Sequence, residues 1–274
     1  MQTLISNAKI NLGLRILGRR PEDGYHLLET IFQEVDFADE IVVHEGAKAG
    51  SFTLSCDHPD IPVNEDNLIL KAVQKMRPYL PQDIGLHFEL KKRIPPGSGL
   101  GGGSSNAAAV LKFLNRRAGL EPEALKEIAV GLGADVPFFL LGGTAYARGT
   151  GDILRPVKIP KEWKAVLVFP EINIPTVWAY RQLRISLTGK TKKAIIPSLL
   201  KKYFSWQIFE NDFEEAIIPS YPEIGEIKSR LYEQGAVYAG LSGSGSTVFG
   251  ICETCDIAEQ AVAAFTHAVI AEPI

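Results

Sequence analysis

Cysteine is scarce in this chain: three residues in 274, at positions 56, 252 and 255. Three thiols cannot build a disulfide framework, so a stapled secreted scaffold is excluded and a reducing compartment is expected. Excess charge of one sign is also missing. Against 29 Lys and Arg stand 32 Asp and Glu, a formal net charge of −3. Such a chain has no global field to draw in nucleic acid or an anionic membrane, and neither is expected as a partner. Long apolar runs are absent. Two uncharged stretches of 18 residues, 94–111 and 235–252, each hold five glycines and several polar side chains, which would weaken a helix in lipid. Residues 1–9 lack a basic segment followed by an apolar core, so no secretory signal is read and cytoplasmic residence is expected. What remains is ordinary globular composition, 46% hydrophobic and 22% charged. At roughly 150 residues per domain, the length allows one large domain or two modest ones.

Cys252 and Cys255 form a C-x-x-C pair. A structural zinc site needs further ligands at close spacing, and Cys56 is distant and single. A thioredoxin-like site needs its first cysteine at a helix start, whereas Val248-Phe249-Gly250-Ile251 looks like a strand. The pair reads as an accident at a strand end.

Hydrophobic periodicity gives the coarse elements. Ala8, Ile10, Leu12, Leu14 and Ile16 alternate with Lys9, Asn11, Gly13 and Arg15, the pattern of a half-buried strand. Pro21-Glu22-Asp23-Gly24 is turn chemistry. Two more strands are predicted over 27–37 and 41–44. Asp66 is the expected N-cap of a helix carrying Ile69, Val73 and Met76, which Pro78 ends. A strand is predicted over 85–92 and helices over 105–117 and 122–132. The pattern breaks around 155–163, which suggests a boundary. Beyond it a strand is expected over 165–169, a helix over 224–234, two strands around a Gly/Ser turn over 237–251 and a final helix over 258–271. The basic stretch 190–202 reads as a solvated face. Strands mixed with helices without regular alternation indicate an α+β fold of two lobes.

Residues 95–106 read Pro-Pro-Gly-Ser-Gly-Leu-Gly-Gly-Gly-Ser-Ser-Asn, between a predicted strand and an alanine-rich helix. Glycines let backbone N–H groups close around an anion, and a helix start behind them adds unpaired N–H groups. Ser104 and Ser105 can cap that helix or turn their hydroxyls toward phosphate or Mg²⁺. Physically this is a polyphosphate site, with a flexible linker as the plainer alternative. A Walker A loop would need a Lys after Gly102 or Gly103, and none is there. Gly97, Gly99 and Gly102 satisfy G-x-G-x-x-G formally. The acids at the required distance, Glu121 and Glu123, open a helix rather than close a strand.

The segment from Pro96 to Ser105 resembles the phosphate loop of the GHMP small-molecule kinases. Two further motifs of that superfamily stand in the expected order: Ala8-Lys9-Ile10-Asn11-Leu12 near the start and Gly240-Leu241-Ser242-Gly243-Ser244-Gly245-Ser246 near the end. Asp23-Gly24-Tyr25-His26, Glu65-Asp66-Asn67-Leu68-Ile69, the triple glycine and Leu132-Gly133-Ala134-Asp135-Val136-Pro137 narrow the resemblance. So does Ile174-Pro175-Thr176. The matching branch phosphorylates the tertiary hydroxyl of a cytidine-diphosphate-linked methylerythritol, in the non-mevalonate route to isoprenoid precursors. The coverage is weakest over 186–221, where Asn211-Asp212 alone looks familiar.

The resemblance implies ATP with Mg²⁺ and a two-lobed fold, 1–155 and 156–274, with the active site between the lobes. It places ATP on Pro95, Pro96, Gly97, Ser98, Gly99, Leu100, Gly101, Gly102, Gly103, Ser104 and Ser105, with Asn67, Leu68 and Lys92 on the adenine side. It casts Asp135 and Lys9 as the catalytic pair at the acceptor hydroxyl. From the residues alone Asp135 is equally an N-cap for a short helix through Pro137. The resemblance puts Asn11, Tyr25, His26, Thr176, Tyr180, Gly243 and Ser244 at the acceptor. Tyr25 would stack on the cytosine and His26 would meet its pairing edge. Tyr180 would close the other face, with Trp178 as a rival. Ordinary packing for Tyr25, a plain helix start at Asn67 and a hairpin turn at Gly243–Gly245 are the structural alternatives.

Overall fold

The computed structural model describes residues 1–46, 48–183, 196 and 204–274. The chain gathers into two compact units, each assembled from three separate pieces. One comprises Met1–Ala8, Phe37–Pro96 and Gly101–Gly142; the other comprises Lys9–Asp36, Gly97–Leu100 and Gly143–Ile274. Two long strands, β1 (Gln2–Arg19) and β2 (His26–Glu45), each contribute residues to both.

In the first unit β3 (Phe52–Cys56) pairs in parallel with β4 (Leu86–Lys91). A parallel pair needs a long crossover, and α1 (Leu68–Met76) supplies it. The end of β2 lies antiparallel on the other side of β4, Glu40 opposite Lys91 through Glu45 opposite Leu86. Leu86, Phe88 and Leu90 are buried while His87 and Glu89 between them are not, the period-two pattern of a strand with one core face. Beyond β4 come α2 (Gly102–Ala118), α3 (Pro122–Val130) and α4 (Val136–Leu141). Both α1 and α4 pack against α2.

In the second unit the start of β2 pairs antiparallel with β5 (Thr144–Arg148), which pairs with β6 (Ile153–Pro156). A separate antiparallel sheet has the order β10 (Ala268–Ala271), β7 (Lys164–Val168), β9 (Val248–Cys252), β8 (Tyr238–Leu241). Helices α5 (Thr176–Gln182), α6 (Asp212–Ile217), α7 (Pro222–Glu233) and α8 (Cys255–Ala263) accompany it. Leu14, Ile16, Val166, Val168, Phe213, Leu231, Leu241 and Val248 share its core. Helices and strands mix without βαβ regularity, as the sequence pattern predicts for an α+β fold.

Several expectations need correction. The two strands predicted over 27–37 and 41–44 are one; Asp39, in the gap between them, is wholly buried, with Oδ1 accepting from two backbone N–H groups. The strand around Lys9 is not half-buried: residues 8–14 are buried on both faces. The N-cap of α1 is Asn67 rather than Asp66; Asn67 Oδ1 accepts from Ile69 N at 2.9 Å. Helix α2 starts at Gly102, inside the glycine loop, so Ser104 and Ser105 sit in its first turn and cap nothing. The residue before it, Gly101, takes φ +73°, a conformation that favours glycine. The final helix stops at Ala263, and 268–271 is a strand, because Ala- and Val-rich runs fit either period and pairing with β7 decides. The basic stretch 190–202 lies, except for Ile196, outside the described residues.

Candidate active site

The first unit carries the helix end of the glycine loop. Helix geometry leaves the N–H groups of Gly102, Gly103 and Ser104 without partners in the helix, and Ser105 N is the first to bond back, to Gly101 O at 2.9 Å. A Cβ at Gly102 would come within 3.0 Å of Ile94 and 3.1 Å of Lys92 Nζ, so a larger residue there would have to displace these side chains. This seventeen-residue helix points its positive end at the loop.

Behind the loop lies a buried polar network that no sequence signal disclosed. Asp39 Oδ1 accepts from the backbone N–H of Arg93 and Ile94 at 2.7 and 2.8 Å. Its Oδ2 accepts from Lys92 Nζ at 2.7 Å and Asn106 Nδ2 at 3.0 Å. Asn106 Nδ2 also reaches Ser6 Oγ at 2.9 Å, and Ser6 Oγ donates to Ser105 Oγ at 2.8 Å. Lys92 donates further to Ile94 O. Burial pulls the Lys92 ammonium below its ordinary pKa while Asp39 opposes that fall. The expected adenine-side cation is thus committed to the strand end from which the loop departs. Its carboxylate partner, Asp39, lies 53 residues away in sequence, which is why pattern reading missed it.

Asp135 precedes α4 in N-cap position but makes no side-chain cap hydrogen bond, unlike Asn67 before α1. Its turn packs against the start of α2: a Cβ at Gly133 would lie 3.8 Å from Ser104 Oγ. The half-buried carboxylate and the loop's first helical turn therefore belong to one body. Among the described residues no three His, Cys, Asp or Glu side chains converge on a metal. A Mg²⁺ held mainly by phosphate oxygens needs only one or two carboxylates, and Asp135, whose turn packs against the first turn of α2, is a donor of that chemistry.

The second unit carries the other predicted residues. Lys9 is 3% exposed on β1, and its Nζ donates to Asn11 Oδ1 at 2.6 Å and Gly99 O at 2.9 Å, with the Phe32 ring 5.1 Å away. Asn11 Nδ2 donates to Thr30 Oγ1 at 3.1 Å. Lys9 and Asn11 are brought together with the first glycines of the loop. Gly99 holds φ +79°, and a Cβ there would sit 2.1 Å from Ser242 O, so the two glycine-rich segments meet backbone to backbone. Ser242 Oγ also donates to Gly99 O, and Thr247 N to Ser98 O at 3.1 Å. Ser244 Oγ donates to Thr176 Oγ1 at 3.2 Å. Gly243–Gly245 is therefore more than a hairpin turn.

Tyr25 is 62% exposed at the end of the turn before β2. Asp23 shapes that turn: its Oδ1 accepts from Tyr25 N at 3.1 Å and Arg20 Nε at 2.9 Å. The Arg20 guanidinium lies 5.8 Å from the Tyr25 ring centroid. His26 stacks on Tyr180 with centroids 4.5 Å apart, and burial, helped by Arg19, lowers its pKa. Trp178 packs edge-on against Tyr221 instead and does not share the contact. Cys252 is buried at the end of β9 with its thiol pushed up to about 11 by burial, and Cys255 is the exposed first residue of α8. Among the described residues no helix is long and apolar enough to cross a membrane.

The model of the GHMP kinases N terminal domain matches residues 67–143, and that of the GHMP kinases C terminal domain matches 198–271. The 4-diphosphocytidyl-2-C-methyl-D-erythritol kinase of Chlorobium phaeobacteroides (strain BS1) is 45% identical over 265 residues, covering 94% of this chain and 91% of the relative. The protein of the same name from Prosthecochloris aestuarii is 41% identical, covering 93% and 90%. A crystal structure of 4-(cytidine 5'-diphospho)-2C-methyl-D-erythritol kinase superposes with a TM-score of 0.81 at 35% identity, covering 99% of each chain. The homoserine kinase of Cytophaga hutchinsonii has a TM-score of 0.72 at 20% identity and shares the fold.

Proposed function

The chain belongs to the GHMP kinases, and we propose that it moves the γ-phosphoryl group of ATP to the tertiary 2-hydroxyl of 4-diphosphocytidyl-2-C-methyl-D-erythritol. The products are the 2-phosphate and ADP, a step of the non-mevalonate route to isoprenoid precursors. The observation that carries this reading is the match to relatives of that name across nine-tenths of both chains. ATP lies on Pro95–Ser105, its phosphates against the loop N–H groups and the start of α2. Asn67 and Leu68 line the adenine side, and Lys92 supports it through Asp39. A Mg²⁺ bound with the nucleotide would supply neutralisation of its phosphate charge.

Phosphoryl transfer asks mainly for positioning and charge stabilisation. The acceptor oxygen attacks the γ-phosphorus, its proton passes to the Asp135 carboxylate, and the bond to the ADP oxygen breaks. The Lys9 ammonium stabilises charge at the acceptor oxygen, steadied by Asn11. Tyr25 stacks on the cytosine, His26 meets its pairing edge and Tyr180 backs His26, with Thr176, Gly243 and Ser244 lining the acceptor. In chain order we read 1–155 and 156–274 as the N- and C-terminal lobes, a division that the spans of the two matched domains support, although the compact units group 9–36 and 97–100 with 143–274. All reactants are small molecules of the cytoplasm, and no nucleic-acid or membrane partner is required.

The test is ADP release from Mg-ATP with the cytidyl acceptor beside homoserine, mevalonate and galactose. Turnover with the cytidyl compound alone is expected. Turnover with another acceptor instead would keep the family and overturn the substrate.

A further inference from the structure

Asn211 is 5% exposed, immediately before α6, and its whole amide is engaged within the second unit. Its Oδ1 accepts from Phe213 N at 3.0 Å, and its Nδ2 donates to Leu241 O at 2.7 Å and Gly243 O at 2.9 Å. The amide orientation follows from these partners, since carbonyls only accept. The flanking residues fasten the same two places. Asp212 Oδ2 accepts from Ile16 N on β1 at 2.8 Å, Leu14 N donates to Glu210 O at 2.7 Å, and Glu214 Oε1 accepts from Leu241 N at 2.8 Å. The segment 210–214 thus ties β1, which bears Lys9 and Asn11, to the glycine loop that follows β8.

The two carbonyls that Asn211 holds flank Ser242, whose Oγ donates to Gly99 O at 3.0 Å. Lys9 Nζ donates to that same carbonyl at 2.9 Å. We propose that Asn211 is a positioning residue for phosphoryl transfer: by clamping Leu241 and Gly243 it fixes Ser242, and through it the Gly99 carbonyl that aims the Lys9 ammonium. The role of Lys9 in this inference rests on the function proposed above. The geometry demands an amide. One planar group must supply two donors to the loop and one acceptor to the helix, whereas a carboxylate lacks the donors and a serine lacks the reach.

Asn211→Asp keeps the helix cap and sets a carboxylate against two carbonyl oxygens. Asn211→Ser keeps a cap without that repulsion and serves if the first variant folds poorly. Steady-state kinetics on folded enzyme are combined with amide hydrogen exchange of 97–100 and 241–247. A displacement of about 1 Å at reacting groups costs up to ~100-fold, so kcat is expected to fall about 10- to 100-fold, with each KM changed less than about threefold. Exchange is expected to speed up in both segments. A kcat within about twofold of wild type, or unchanged exchange at 97–100 in both variants, overturns the inference. Wild-type turnover of the cytidyl acceptor tests the substrate separately. If it fails, exchange alone decides: faster exchange in both segments upholds the clamp, and unchanged exchange removes it.

Discussion

The His26 imidazole lies on the Tyr180 ring, centroids 4.5 Å apart and planes 28° from parallel, and Phe213 packs edge-on against Tyr180. The contact ties the start of β2 to α5 within one unit, and it leaves Tyr25, the neighbour of His26, exposed on its turn. A half-buried ring pair beside an exposed ring is suited to reading a flat heterocycle by one stack and one edge.

Tyr25→Ala is therefore expected to raise the acceptor KM by roughly 5- to 150-fold, the equivalent of one base stack of about 1–3 kcal/mol, while the KM for ATP holds. Initial rates with each substrate varied would check it. An unchanged acceptor KM would remove cytosine stacking from the account.

The same relationship carries a pH dependence. Burial and Arg19 lower the His26 pKa below its ordinary 6.5, so the folded protein binds a proton there less readily than the unfolded chain. The associated stability is complete above pH 6.5 and is lost as pH falls from there through the lowered value. Acceptor KM should stay flat from pH 8 down to 6.5 and rise below it as the imidazole charges. His26→Gln, which does not titrate, should flatten that acid limb in a KM–pH profile.

Asp135→Asn is expected to cut kcat by about 10²- to 10⁴-fold, the usual range for loss of a proton acceptor. A variant that keeps wild-type kcat would reduce Asp135 to a helix-start residue.

Asp39→Ala should cost about 3–5 kcal/mol in urea unfolding, because it strands the buried Lys92 ammonium and two backbone N–H groups. Adding Lys92→Met to that variant should recover part of the loss, since it removes the stranded charge. A double variant worse than the sum of its singles would contradict this account.

Gly99→Ala forces a side chain to within 2.1 Å of Ser242 O at a backbone angle unfavourable to alanine. Turnover should fall by about 100-fold even in protein that remains folded, since Lys9 Nζ and Ser242 Oγ both donate to the Gly99 carbonyl that the substitution displaces. A mild effect on kcat would show that the two glycine segments part easily.

Much of this was written in short-range pattern. The three glycine- and lysine-bearing motifs are local, so their residues could be found without any knowledge of partners. Most strands and helices announced themselves by periodicity, and so did the mixed α+β character. Long-range satisfaction was illegible. Asp39 lies in the gap left between two predicted strands, and its partners Arg93, Ile94 and Asn106 are more than fifty positions away. The start of α2 falls earlier than predicted because glycine is a poor helix former, about 1 kcal/mol below alanine, and its close approach to Ile94 is visible only in the structure. The strand at 268–271 could not be told from helix by composition, since its partner, β7, lies about a hundred positions earlier.

Because each compact unit is stitched from three separate stretches of chain, no single cut in the gene releases either one whole. A fragment ending at Gly142 would keep all three pieces of the first unit, but it would also trail the orphaned segments 9–36 and 97–100 of the second. Recombination between relatives thus cannot trade one unit as a cassette. Ancestry in this architecture should descend through the entire chain, and chimaeras joined at any one point should be poorer proteins than either parent.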